Sequence, residues 1–146
     1  MAPVEFSLGG SEKSKVTVEV VGYERASSGK YNDDNWLNAV VSVSAGAFSG
    51  RFTASFVTSE FVAFRSQLQT LYQTLKGEAA FETLEGQLTL TLVGNGHGGV
   101  TLKGTALDQP GIGNSLSFEL ALDQTYLERA LRDLDHIIGA FPVRSS

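Results

Sequence analysis

The residues best equipped for chemistry are few. Gly94-Asn95-Gly96-His97-Gly98-Gly99 has the glycine density of a phosphate-cradling loop. Such a loop needs a strand before it and a helix after it, so that the helix amides meet the phosphate. Here Val100, Leu102 and Ala106 alternate with polar neighbours, so a strand follows and the glycines read as a hairpin turn. The two histidines, His97 and His136, stand far apart, and there is no cysteine. Neither thiolate chemistry nor a zinc site of His and Cys can be assembled from this set, and no cofactor or metal is expected. No Gly-x-Ser-x-Gly elbow lies between a strand and a helix. Asp33 and Asp34 are adjacent, so on an extended segment they face opposite ways and cannot share one substrate bond. The run Asn32 to Asn35 does not continue into the ligand spacing of a calcium loop. No catalytic constellation survives, and the chain is not read as an enzyme.

What remains is chemistry of contact. Trp36, the only tryptophan, follows Asp33 and Asp34. An aromatic side chain ringed by charge is a common anchor at protein interfaces. The competing reading is a tryptophan packed at the start of a strand. Two polar, turn-rich stretches are candidates for contact: Glu24 to Asn35, and Leu107 to Asn114, the latter holding Asp108 and Asn114. The partner-binding residues proposed from sequence are therefore Asp33, Asp34 and Trp36, then Asp108 and Asn114. Reversing Asp33 and Asp34 to lysine is expected to weaken binding and leave folding intact.

The elements that must position these loops follow from periodicity. From Phe48 to Phe56, apolar and polar residues alternate, the period of a half-buried strand. Beyond Thr58 the period changes. Phe61, Phe64, Leu68, Leu71, Tyr72 and Leu75 form one helical stripe. Thr58 or Ser59 is the expected cap, Glu60 suits the positive end of the helix, and Gly77 is the expected stop. The same design returns after a shift of 66 residues: Phe52 falls on Phe118, Phe61 on Leu127, Leu68 on Leu134 and Leu71 on Ile137. Asp123 caps this second helix, and Gly139 and Pro142 end it.

Other strands are expected at Val4–Leu8 on an edge, Val16–Val20, Trp36–Val43, Ala80–Leu84, Leu88–Leu92, Val100–Ala106 and Leu116–Leu122. The expected fold is α+β: seven to eight strands in mainly antiparallel sheet or sheets, with two amphipathic helices in the order strands, helix, strands, helix. Residues 1–146 form one domain of two similar halves, 4–77 and 78–142. A chain of 146 residues can bury roughly 68–70% of its unfolded surface, so the core needs no metal or disulfide.

The net charge is −5. Nucleic acid and anionic membrane both require clustered lysine and arginine, so neither is expected as a partner. A basic protein suits this balance, although mild acidity also serves solubility. The N-terminus lacks the basic and apolar regions of a signal peptide. No apolar run approaches the ~20 residues of a membrane helix, so the expected location is the cytoplasm.

Several stretches in this order resemble one family: Gly22-Tyr23, Asp34-Asn35-Trp36-Leu37-Asn38, Phe48-Ser49-Gly50, Leu84-Glu85-Gly86, Gly113 to Phe118, Asp123 to Leu127 and Phe141-Pro142. Together they are similar to the WapI-type immunity proteins, over nearly the whole chain. The resemblance implies a small cytoplasmic bacterial protein that binds and neutralises a contact-dependent polymorphic toxin of the WapA kind. It carries over no binding residues. The alternatives are a small-ligand-binding module, with a groove between the two helices, and a structural module that forms a homodimer through them.

Overall fold

The computed structural model describes residues 3–145. Eight strands form two four-stranded antiparallel sheets. The first contains β1 (Val4–Ser11), β2 (Ser14–Tyr23), β3 (Trp36–Ala45) and β4 (Phe48–Val57), paired in chain order. The second contains β5 (Lys76–Phe81), β6 (Leu88–Asn95), β7 (Gly99–Gln109) and β8 (Ile112–Asp123), again in chain order. A short helix α1 (Tyr31–Asp34) interrupts the β2–β3 connection, α2 (Thr58–Thr74) follows β4, and α3 (Gln124–Ala140) follows β8. The expected α+β class and strand–helix order hold, and the sheets are two.

The strands bury the faces their alternation marks. Val16, Val18 and Val20 of β2 and Leu37, Ala39, Val41 and Val43 of β3 point into one core with Leu88, Leu90, Leu92 and Leu102 of the second sheet. Each helix lies beside the first strand of the opposite half: α2 along β5 and α3 along β1. The two helices also pack against each other, joined by the Arg65–Asp135 pair. The arrangement solves an edge problem. A first strand exposes unpaired amides on its outer side, a template for unwanted strand addition. The Gln67 Oε1 of α2 accepts a hydrogen bond from the Ala80 amide of β5 at 2.9 Å. On α3 the Asp133 carboxyl stands near the Ser7 amide of β1, which works against the rise that burial gives its pKa. Gln67 and Asp133 stand 66 residues apart, the same interval that carries α2 onto α3 from first residue to last.

Four local expectations are corrected. Neither Thr58 nor Ser59 caps α2. Val57 holds the cap position, and the Glu60 carboxylate reaches back to its amide at 2.7 Å. The Thr58 hydroxyl instead donates to Asn35 Oδ1. Gly77 does not stop the helix. Leu75 does, in the left-handed region at φ 63°, with its amide on Leu71 O and its carbonyl accepting from Gly96 N. A side chain there costs about 1–2 kcal/mol. It places Lys76 directly in β5, so that strand begins four residues earlier than its apolar run suggests. Thr83 and Leu84 leave the strand and join a turn with Glu85-Gly86, closed by the Gly86 amide on Thr83 O. Lastly, Leu107 to Asn114 is not a long loop. Strands β7 and β8 run through it and close on Pro110-Gly111, with Gly111 and Gly113 at positive φ. This hairpin overhangs β6, whose pairing with β7 begins at Leu88 and Ala106.

Candidate partner-binding surface

The β2–β3 connection is built around one carboxylate. Asp34 is 1% exposed. Its oxygens accept from the Ser28 amide (2.9 and 3.0 Å), the Ser28 hydroxyl (2.7 Å), the Gly29 amide (2.9 Å) and the Ser27 hydroxyl (3.4 Å). The Ser28 hydroxyl and then these amides hold the carboxyl below its ordinary pKa, against the opposing effect of burial. Ser27-Ser28-Gly29 is thus a cradle that Asp34 itself fills. Asp33, its neighbour, faces outward with a half-exposed side chain 3.9 Å from Arg25. Trp36 is half-buried at the start of β3, opposite Val57. Its carbonyl accepts from the Glu24 amide at 3.0 Å and closes the base of the connection.

Asn35 ties this loop to the rest of the molecule. Its side-chain nitrogen donates to Tyr31 O (2.8 Å) and Arg144 O (2.9 Å). Its oxygen accepts from the Thr58 hydroxyl (2.7 Å) and the Arg144 amide (2.8 Å). All four hydrogen-bonding positions of the amide are used, which suits its burial. The C-terminal segment is held a second way, since Tyr23 donates to Pro142 O and the Arg144 guanidinium lies 3.4 Å over the Tyr23 ring. Nothing in the sequence pattern points to Asn35 or Arg144; both acquire their roles from contacts 109 residues apart.

The β7–β8 hairpin is tied in a similar way. The Asp108 carboxylate accepts from the Asn114 amide (2.8 Å) and its side-chain nitrogen (3.2 Å), and these bonds hold its pKa below the ordinary value. Both side chains are exposed. Buried Gln87 donates to Thr53 O and Leu107 O, both at 3.2 Å, and so fastens β4 to the base of the hairpin. Beneath the hairpin lies a hollow of about 590 Å³ between Asp108, Gln109, Pro110 and the outer face of Asn38, Val40, Thr53 and Ser55. The Ser55 hydroxyl binds Glu24, at the base of the first loop. The two candidate loops are therefore linked through this face. Asp108 lines the hollow, whereas Asp33, Asp34 and Trp36 do not.

A third segment, absent from the sequence reading of the site, adjoins the first loop. The Thr58 amide donates to Asn35 O. Two residues on, Glu60 accepts from the Leu84 amide at 2.7 Å. Burial raises the Glu60 pKa, the Val57 and Leu84 amides oppose this, and nearby Glu85 adds to the rise.

Among the described residues, no group of His, Asp and Glu is arranged to hold a metal, and no helix is long and apolar enough to cross a membrane. The molecule is thus defined as a two-sheet α+β protein whose candidate site is a surface of pinned loops. Compared with protein families, the chain matches the Immunity protein WapI-like family over residues 7–142, and it belongs to that family. The resemblance seen in its short motifs stands on nearly the whole chain. Immunity proteins are generally non-catalytic, and a non-enzymatic immunity role comes with membership. None of the curated proteins compared with it matches the chain.

Proposed function

We propose that this protein binds the toxic domain of a cognate polymorphic toxin in the cytoplasm and neutralises it by covering the surface the toxin works with. Family membership carries this reading. The charge supports it: a net −5 on the immunity side suits a basic toxin, and complementary potentials speed encounter and favour the right partner. The pinned loops support it too, because a surface already held in place loses little entropy on binding. Asp33 and the exposed edge of Trp36 make the first contact region, and Asp108 and Asn114 the second. The chain acts as one domain, its halves sharing a core.

Asp33→Lys tests the loop assignment. Its side chain is 53% exposed and takes no part in the Asp34 cradle. Affinity for a WapA-type toxin domain that the wild-type protein binds, measured by titration calorimetry, should fall about tenfold with the melting temperature unchanged. Equal affinity would remove Asp33 from the interface. Asp34→Lys is not a fair test, since it would place a cation in a buried cradle of donors and disrupt the loop itself.

A further inference from the structure

Leu84 is 77% exposed, more than any other large apolar side chain among the described residues. It does not sit on a loose loop. Its amide is bonded to Glu60 Oε2, the Gly86 amide to Thr83 O (3.1 Å), and the Thr83 hydroxyl to Leu88 O (2.9 Å). A leucine presented on a turn fixed at three points costs hydration and contributes nothing to the core. Around it stand Glu60, Glu82 and Glu85. Glu60 and Glu82 line one concavity with Ser59 and Gln67, and Glu85 is close enough to raise the Glu60 pKa. The ion pairs among the described residues involve Glu24, Asp33 and Asp135, so among those residues these three glutamates have no cationic partner.

We infer that the Thr83–Gly86 turn is a docking knob for the toxin: Leu84 enters an apolar socket on the toxin domain, and Glu82 and Glu85 meet lysines or arginines around its rim, while Glu60 holds the turn in place. This rests on the proposed immunity function and adds a contact region to it. An apolar anchor surrounded by charges that exclude water is the usual composition of an energetic centre. The rim also specifies the occupant, because the Glu82 and Glu85 carboxylates, without a cationic partner among the described residues, repel a second acidic copy of this chain and attract a basic surface.

Leu84→Ala should weaken binding of the same toxin domain about tenfold, and Leu84→Asp about a hundredfold, mainly through faster dissociation. Both should leave the melting temperature unchanged, as the side chain is exposed. Glu82→Lys with Glu85→Lys should slow association and flatten its salt dependence. If the wild-type protein binds the toxin domain and the Leu84 variants bind equally well, the knob is wrong while the immunity function stands. If the wild type does not bind at all, the immunity reading fails first. If sedimentation shows a wild-type dimer that Leu84→Asp dissolves, the occupant is a second copy and the inference is overturned.

Discussion

The two helices have the same length and the same place after the last strand of a sheet, yet they fill the core differently. Helix α2 brings Phe61 and Phe64 into a cluster with Phe6, Phe56 and Phe81, at ring separations of 5.4–6.3 Å. At the corresponding positions of α3 stand Leu127 and Ala130, and Leu122 replaces Phe56. The α3 stripe is completed by Leu131, where α2 carries Arg65. One backbone plan thus accepts rings on one side and branched chains on the other. Close packing, rather than residue identity, is what the plan conserves. The edges differ too: neutral Gln67 bonds the Ala80 amide of β5, whereas ionisable Asp133 stands near the Ser7 amide of β1.

The largest test of this asymmetry is in the core. Phe81 meets four other rings at 5.4–5.7 Å. Phe81→Ala should cost about 3–5 kcal/mol in urea unfolding. Leu134→Ala on the aliphatic side should lie lower in its range of about 2–5 kcal/mol. A larger loss at Leu134 would mean that the ring cluster is not the stronger half of the core.

Next comes pH. Burial raises the carboxyl pKa values of Glu60 and Asp133. A carboxyl raised on folding contributes stability that is full below its unfolded pKa and lost as pH rises through the folded value. Asp34 and Asp108 are depressed, so theirs is full above the unfolded pKa and lost as pH falls through the folded value. Stability should rise modestly on acidifying from neutrality toward the ordinary carboxylate range, then fall in stronger acid. Asp133→Asn should flatten the first limb and Asp34→Asn the second. Gln67→Ala, its counterpart on α2, should leave both limbs in place. A monotonic fall from pH 7 in the wild type would break this assignment.

The smallest effect is expected where the helices meet. The Arg65 guanidinium bonds Asp135 at 2.9 and 3.3 Å, but both side chains are substantially exposed. A double-mutant cycle should give about 0.2–1 kcal/mol. A larger coupling would show that the helix pair is held by charge more than by its apolar stripe.

Much of this protein is written in local periods. The alternation of Phe52, Ala54 and Phe56, the stripe from Phe61 to Leu71, its echo 66 residues on, and Asp123 as a side-chain cap (2.9 Å to the Thr125 amide) were all legible, because each depends on neighbours within a turn or a strand. So was the polarity of the loops, and with it the choice of Asp33 and Asp108 as exposed carboxylates. What depends on distant partners was not. Asp34 looks like Asp33 in the sequence; only the cradle at Ser27–Gly29 decides that one is buried and the other exposed. Leu84 looks like the end of a strand until β5 is paired earlier, from Lys76 to Phe81, which leaves its side chain in solvent. That each helix covers the other half's first strand was likewise decided only in three dimensions. Apolar stripes state that a face must be buried; that α2 lies along β5 and α3 along β1 is settled by packing between residues far apart in the chain.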